Sequence, residues 1–151
     1  MEVKPYSSAV LALCGLALIG VGAYFIFLRP ALLPEDARYI GASLPQLQTT
    51  APNLLQWLNR VFWVMGGYIL TTGVLTLYVA HTSFRKRAHG VSVLVALAGL
   101  TSIGWMTIVN FIIQSDFKWQ LLGLAALWGI SLMLFWIEGE DQRLRRRRRE
   151  N

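Results

Sequence analysis

Charge is scarce in this sequence: 15% of its 151 residues are charged and 55% are hydrophobic, which leaves too little polar surface for a soluble globule. Four stretches lack charged residues altogether, Ser8 to Leu28, Val61 to Ala80, Val91 to Ile113 and Leu121 to Ile137. None of them holds an acid, a base or a histidine, so the groups that proton-coupled transporters keep at membrane depth are missing. Cysteine is nearly absent as well. Cys14 stands alone, which excludes an intramolecular disulfide.

The two histidines, His81 and His89, lie outside the uncharged runs, so neither can be an axial haem ligand from a helix interior. Their neighbours Arg85, Lys86 and Arg87 repel a metal cation, and no further ligands stand close by. No metal, cofactor or catalytic residue is therefore assigned. Glu35, Asp36 and Asp116 share no side with a histidine, and no phosphate loop or nucleophile motif is present, so an enzyme is not expected. Leu11-Ala12-Leu13-Cys14-Gly15 superficially matches a lipoprotein cleavage box, but Leu13 is too large for the position before the cysteine and the apolar run continues to Leu28.

What remains is hydrocarbon. A helix needs about 20 residues to cross a bilayer core of roughly 30 Å. The first three runs meet that length, and the fourth is completed by Trp119 and Gln120, with Trp119 and Trp136 suited to the two interfaces. The expected fold is an all-α integral membrane protein with four transmembrane helices at about 8–28, 57–80, 91–113 and 119–137. Residues 1–138 make one transmembrane domain, and 139–151 a basic tail.

Orientation is read from lysine and arginine. Lys4, Arg85, Lys86, Arg87, Arg143 and Arg145 to Arg149 place ten on one side, against Arg29, Arg38, Arg60 and Lys118 on the other. The positive-inside rule then puts both termini in the cytoplasm. In outline this plan resembles small bacterial membrane proteins, which implies the bacterial inner membrane and no particular activity.

The connections differ in length. His81 to Gly90 and Gln114 to Gln120 are tight, and predict that the second, third and fourth helices are sequential antiparallel neighbours. The segment from Arg29 to Arg60 is longer and reads as an extracytoplasmic cap of short helices. Pro34 with Glu35 and Asp36, closed by Gly41, predicts one, and the capping-box spacing Ser43-Leu44-Pro45-Gln46 a second that ends at Pro52. From Asn53 onward, apolar spacing predicts that the second helix starts before its uncharged run.

Small residues at helix-packing spacing occur as Gly67-xxx-Thr71, Ala98-xxx-Ser102 and Ala125-xxx-Gly129, with Gly15, Gly20 and Gly22 clustered on the first helix. Thr71, Thr72, Thr76, Thr101, Ser102, Thr107 and Ser131 are expected to hydrogen-bond between helices, and those threonines are candidate acceptors for the Trp105 and Trp128 indoles. A polar pocket is a candidate at Asn110, Trp105, Trp128 and Tyr68.

Arg143, Arg145, Arg146, Arg147, Arg148 and Arg149 are the candidate contact for anionic lipid head groups or for a partner, each base contributing about 1 kcal/mol against an anionic leaflet. The run lacks interleaved aromatic residues, so nucleic acid is not the expected partner. The leading expectation is a non-catalytic accessory or interaction subunit of a larger membrane complex, or one that packs against its own copies. The alternatives are a small homo-oligomeric channel or transporter lined by Thr and Asn, and a binder of an apolar ligand such as a quinone, lipid or pigment.

Overall fold

The computed structural model describes residues 6–150, with side chains throughout except for Gln142, Arg143 and residues 145–150. Helix α1 (Tyr6–Phe27) is followed by two short helices, α2 (Pro34–Ile40) and α3 (Leu44–Thr50). Helix α4 (Leu54–Val79) runs into a π turn at Ala80–Phe84. The next long helix comprises α5 (Val91–Gly99), a second π turn (Leu100–Gly104) and α6 (Trp105–Ile112). Helix α7 (Lys118–Glu150) is the last.

Among the described residues, four helices are long and apolar enough to cross a membrane: Tyr6–Phe27, Leu54–Phe84, Val91–Ile112 and Lys118–Asp141. In hydrocarbon a helix satisfies its own backbone hydrogen bonds, so each uncharged run closes its ladder within itself. The ends match the sequence signals. Asp36 accepts from the Leu33 N–H at 2.9 Å at the start of α2, and Gly41 stops that helix with φ 74°. Gln46 accepts from the Ser43 N–H at 2.8 Å at the start of α3.

Helix α1 packs on both α4 and α7 through neighbouring flanks of one buried face, and α7 in turn packs on α5 and α6. The spans therefore form a row, closed only at the end that carries the two termini, where the π turn after α4 reaches α5. Here the expected neighbour relation is corrected. The second and third spans share a tight loop but do not pack along their lengths.

The reason lies in two competing contacts. Gly15 and Gly22 face Gly73 and Gly66 across the α1–α4 seam, so closely that a Cβ on Gly22 would lie 2.5 Å from the Leu70 nitrogen and one on Gly73 would lie 2.7 Å from the Gly15 oxygen. The glycines recur seven residues apart on both helices, two turns that return to the same face. They bind α4 to α1 by backbone contact. At the far side of the row, the Trp128 indole fills the place a side chain at Gly99 would take and donates to the Val95 oxygen at 3.0 Å. That holds the third span to α7.

The small-residue positions read from sequence hold in part: Gly15 and Gly22 lie at the seam, and Ala98 and Ala125 pack against the core. Gly67, Gly20 and Gly129 have nothing within 4 Å of a would-be Cβ, whereas Gly66, one residue from Gly67, is at the seam. Leu11, Cys14 and Leu18 cover the α7 side of α1 and are fully buried. Replacing Gly22 with Leu is expected to destabilise the fold by about 2 to 3 kcal/mol through overpacking, while Gly20→Leu leaves it nearly unchanged. Denaturant unfolding of both variants in bicelles measures the difference.

Candidate functional site

Two polar clusters mark the ends of the row. At the termini end, Glu138 of α7 sits at the start of α1, where the first backbone N–H groups have no helical partner. Its Oε1 accepts from the Ser7 N–H at 3.0 Å, and its Oε2 from the Ser7 hydroxyl at 2.6 Å. A carboxylate in this position also meets the positive end of the helix dipole. The cap thus comes from another helix.

The same carboxylate pairs with Arg87 at 3.2 Å. Arg87 adopts φ 53°, a left-handed backbone uncommon outside glycine, and so turns the loop after α4 back toward α7. Its guanidinium donates to the Phe135 oxygen at 2.6 Å and lies 4.3 Å from the Phe135 ring centroid. Gly139 makes room, since a Cβ there would fall 2.6 Å from the Arg87 Nη1. Beneath this cluster Phe84 and Phe135 stack with centroids 4.5 Å apart. Ser131 donates to the Ser7 oxygen at 3.2 Å, and Ser8 to the Ala80 oxygen in the π turn.

At the opposite end, Arg29 follows α1 and pairs with Asp36 of α2 at 3.0 Å. Its guanidinium lies 3.5 Å from the Phe62 ring centroid and 5.3 Å from that of Phe25. One side chain therefore ties α1, α2 and α4 together. Arg38 reaches Asp116 at 3.0 Å, an exposed pair that adds little stability. Tyr24 approaches Phe117 at 6.4 Å, which joins α1 to the connection before α7. Glu35 is different: it is 4% exposed and its Oε1 has no hydrogen-bond partner.

Tyr68 is 73% and Trp105 63% exposed, whereas Trp128 is buried at 3%. Asn110 donates to the Met106 oxygen at 2.9 Å on its own helix. The Trp128 indole uses a backbone carbonyl as its acceptor, where a threonine was expected. Thr72, Thr101, Ser102 and Thr107 likewise donate to carbonyls four residues back, and so do not act as the expected links between helices. Of the expected group, Ser131 makes an interhelical bond.

The side chains of Arg143 and Arg145 to Arg149 lie outside the described residues, but the backbone of α7 is helical through this segment to Glu150. Sequence reasoning missed the Ser7–Arg87–Glu138 cluster. It reads Arg87 as one of the topology-setting bases and as a cation that repels metal, and Glu138, the first acid after the fourth uncharged run, is the available signal. No family model, curated protein or solved structure matches this chain.

The clusters make opposite predictions for carboxylate removal. Glu138→Met leaves the Ser7 N–H and Arg87 without their acceptor and is expected to lower stability by about 2 to 4 kcal/mol. Glu35→Met removes an unsatisfied buried oxygen and is expected to raise stability by about 1 kcal/mol or leave it unchanged. Thermal unfolding of the two variants in one detergent checks both signs. Arg29→Lys keeps the charge but loses the planar stack on Phe62, so amide exchange across residues 31–50 is expected to accelerate severalfold.

Proposed function

We propose that this chain is a non-catalytic accessory subunit that packs its spans against a larger membrane assembly, with both termini in the cytoplasm and the Arg29–Arg60 segment on the opposite side. The observation that carries the reading is the open row of helices. Most residues of each candidate span stay unburied among the described residues, and the second and third do not pack along their lengths. A protein organised around its own binding site or pore would bring polar groups together inside the row. Here Thr72, Thr101, Ser102, Thr107 and Asn110 turn to their own backbones, and the charged clusters join helix ends.

Distributing the chain's positive charges across the row supports the orientation. Arg85, Lys86 and Arg87 lie at the termini end with α7's basic extension, and the smaller set of Arg29, Arg38, Arg60 and Lys118 at the other. A self-contained channel has less support, because Thr72 and Thr101 are already bonded within their own helices. An apolar-ligand site has less support because Tyr68 and Trp105 are exposed and the buried Trp128 indole already donates to the Val95 oxygen.

Purification in gentle detergent is expected to yield the chain in a stoichiometric complex with a larger membrane protein. A lone monomer would overturn the reading. Buried Cys14 is a silent background for topology mapping. Ser43→Cys should react with an impermeant maleimide in intact cells, and Ala88→Cys only after permeabilisation; the reverse pattern would refute the orientation.

A further inference from the structure

Helix α7 carries two distinct faces. Leu121, Trp128, Ser131 and Phe135 point into the row. On the other side Trp119, Leu122, Ala126, Gly129, Met133 and Trp136 are exposed, at steps of three, four, three, four and three residues. That alternation is compatible with the 3.5-residue period of a helix-pairing seam, and Gly123, Ile130 and Ile137 are exposed beside it and widen the same apolar face. A tryptophan stands at each end, and nothing lies within 4 Å of where a Gly129 side chain would begin.

The seam does not stop with the apolar residues. Helix α7 continues to Glu150, and the same period runs through positions 140, 143 and 147, which are Glu140, Arg143 and Arg147. At 1.5 Å per residue, Arg146 to Arg149 stand about 12 to 17 Å beyond Glu138 along the helix axis. The six arginines between 143 and 149 are distributed around the whole circumference, with Leu144 the sole apolar residue among them. A helix lying flat on a membrane needs an apolar face, and this segment has none.

Charge decides what fits the seam. Two copies inserted with the same orientation would pair parallel through α7 and bring Glu140 against Glu140, Arg143 against Arg143 and Arg147 against Arg147. Like charges at a seam disfavour that pairing. Building on the accessory-subunit reading, we propose that the outward face of α7 docks a transmembrane helix of a different protein, one whose segment leaving the bilayer beside the arginine extension is rich in aspartate and glutamate. The apolar seam supplies contact within the bilayer. The arginine extension selects the partner and fixes its register.

Site-specific photocross-linking of the full chain in its native membrane tests this. A benzoylphenylalanine is placed at Ala126 or Met133 on the seam, and for comparison at Leu13, which is exposed on α1. The expected result is an adduct from α7 alone, with a chain other than this one whose sequence carries an acidic cluster next to its span. Its yield should fall about tenfold when Arg145 to Arg149 are changed together to Gln. Maleimide labelling of Ala88→Cys in that variant verifies that its topology is unchanged.

An adduct with the mass of two copies, an adduct partner without an acidic cluster, or a yield indifferent to the arginine changes in a correctly inserted protein would each overturn the proposal. Cross-linking from Leu13 but not from α7 would overturn it and leave the accessory-subunit reading standing. No adduct from any position, together with a monomer on purification, would overturn both.

Discussion

The approach of α1 to α4 through Gly15, Gly22, Gly66 and Gly73 is the contact on which the other placements rest. Lipid tails are as apolar as leucine, so in a bilayer two helices gain little by burying apolar side chains against each other, and close packing has to supply the attraction. Glycine allows it here by letting backbone meet backbone. With α4 held at Gly15 and Gly22, the neighbouring flank of the same buried face of α1, carrying Leu11, Cys14 and Leu18, is left for α7. The third span then has only α7 as a long neighbour, and the row stays open.

The charged clusters act at the ends of this row, where water and head groups lower the cost of keeping a carboxylate or guanidinium. Glu138 satisfies the first turn of α1 and holds Arg87 at once, so it joins the start of the first span, the loop between the second and third, and the end of the fourth. Arg29 plays the corresponding part at the other end through Asp36 and Phe62. Two short-range knots hold the ends of the bundle and leave most of the span surface without a partner in the chain. The proposed accessory role rests on this open row.

Among these contacts, some were legible in the sequence. The short helices α2 and α3 followed from Pro34, Asp36, Gly41, Ser43 and Gln46, because capping is a local matter of three or four residues. The glycine seam is half visible: Gly15 and Gly22 cluster on the first helix, but spacing points to Gly67 where Gly66 lies at the seam, since spacing reveals which residues share a face and not which face meets a neighbour. Ser7 and Glu138 are separated by more than a hundred positions, and no local pattern joins them.

Length, hydropathy and the distribution of charge along the chain were enough to determine four helices long and apolar enough to cross a membrane, because the thickness of hydrocarbon imposes the same demand on every span whatever its neighbours. Which helices touch, where Arg87 turns, and that Trp128 rather than Trp105 is buried were decided by tertiary structure alone. Those choices depend on packing between segments distant in the chain, and an apolar residue facing lipid is chemically indistinguishable in sequence from one facing another helix.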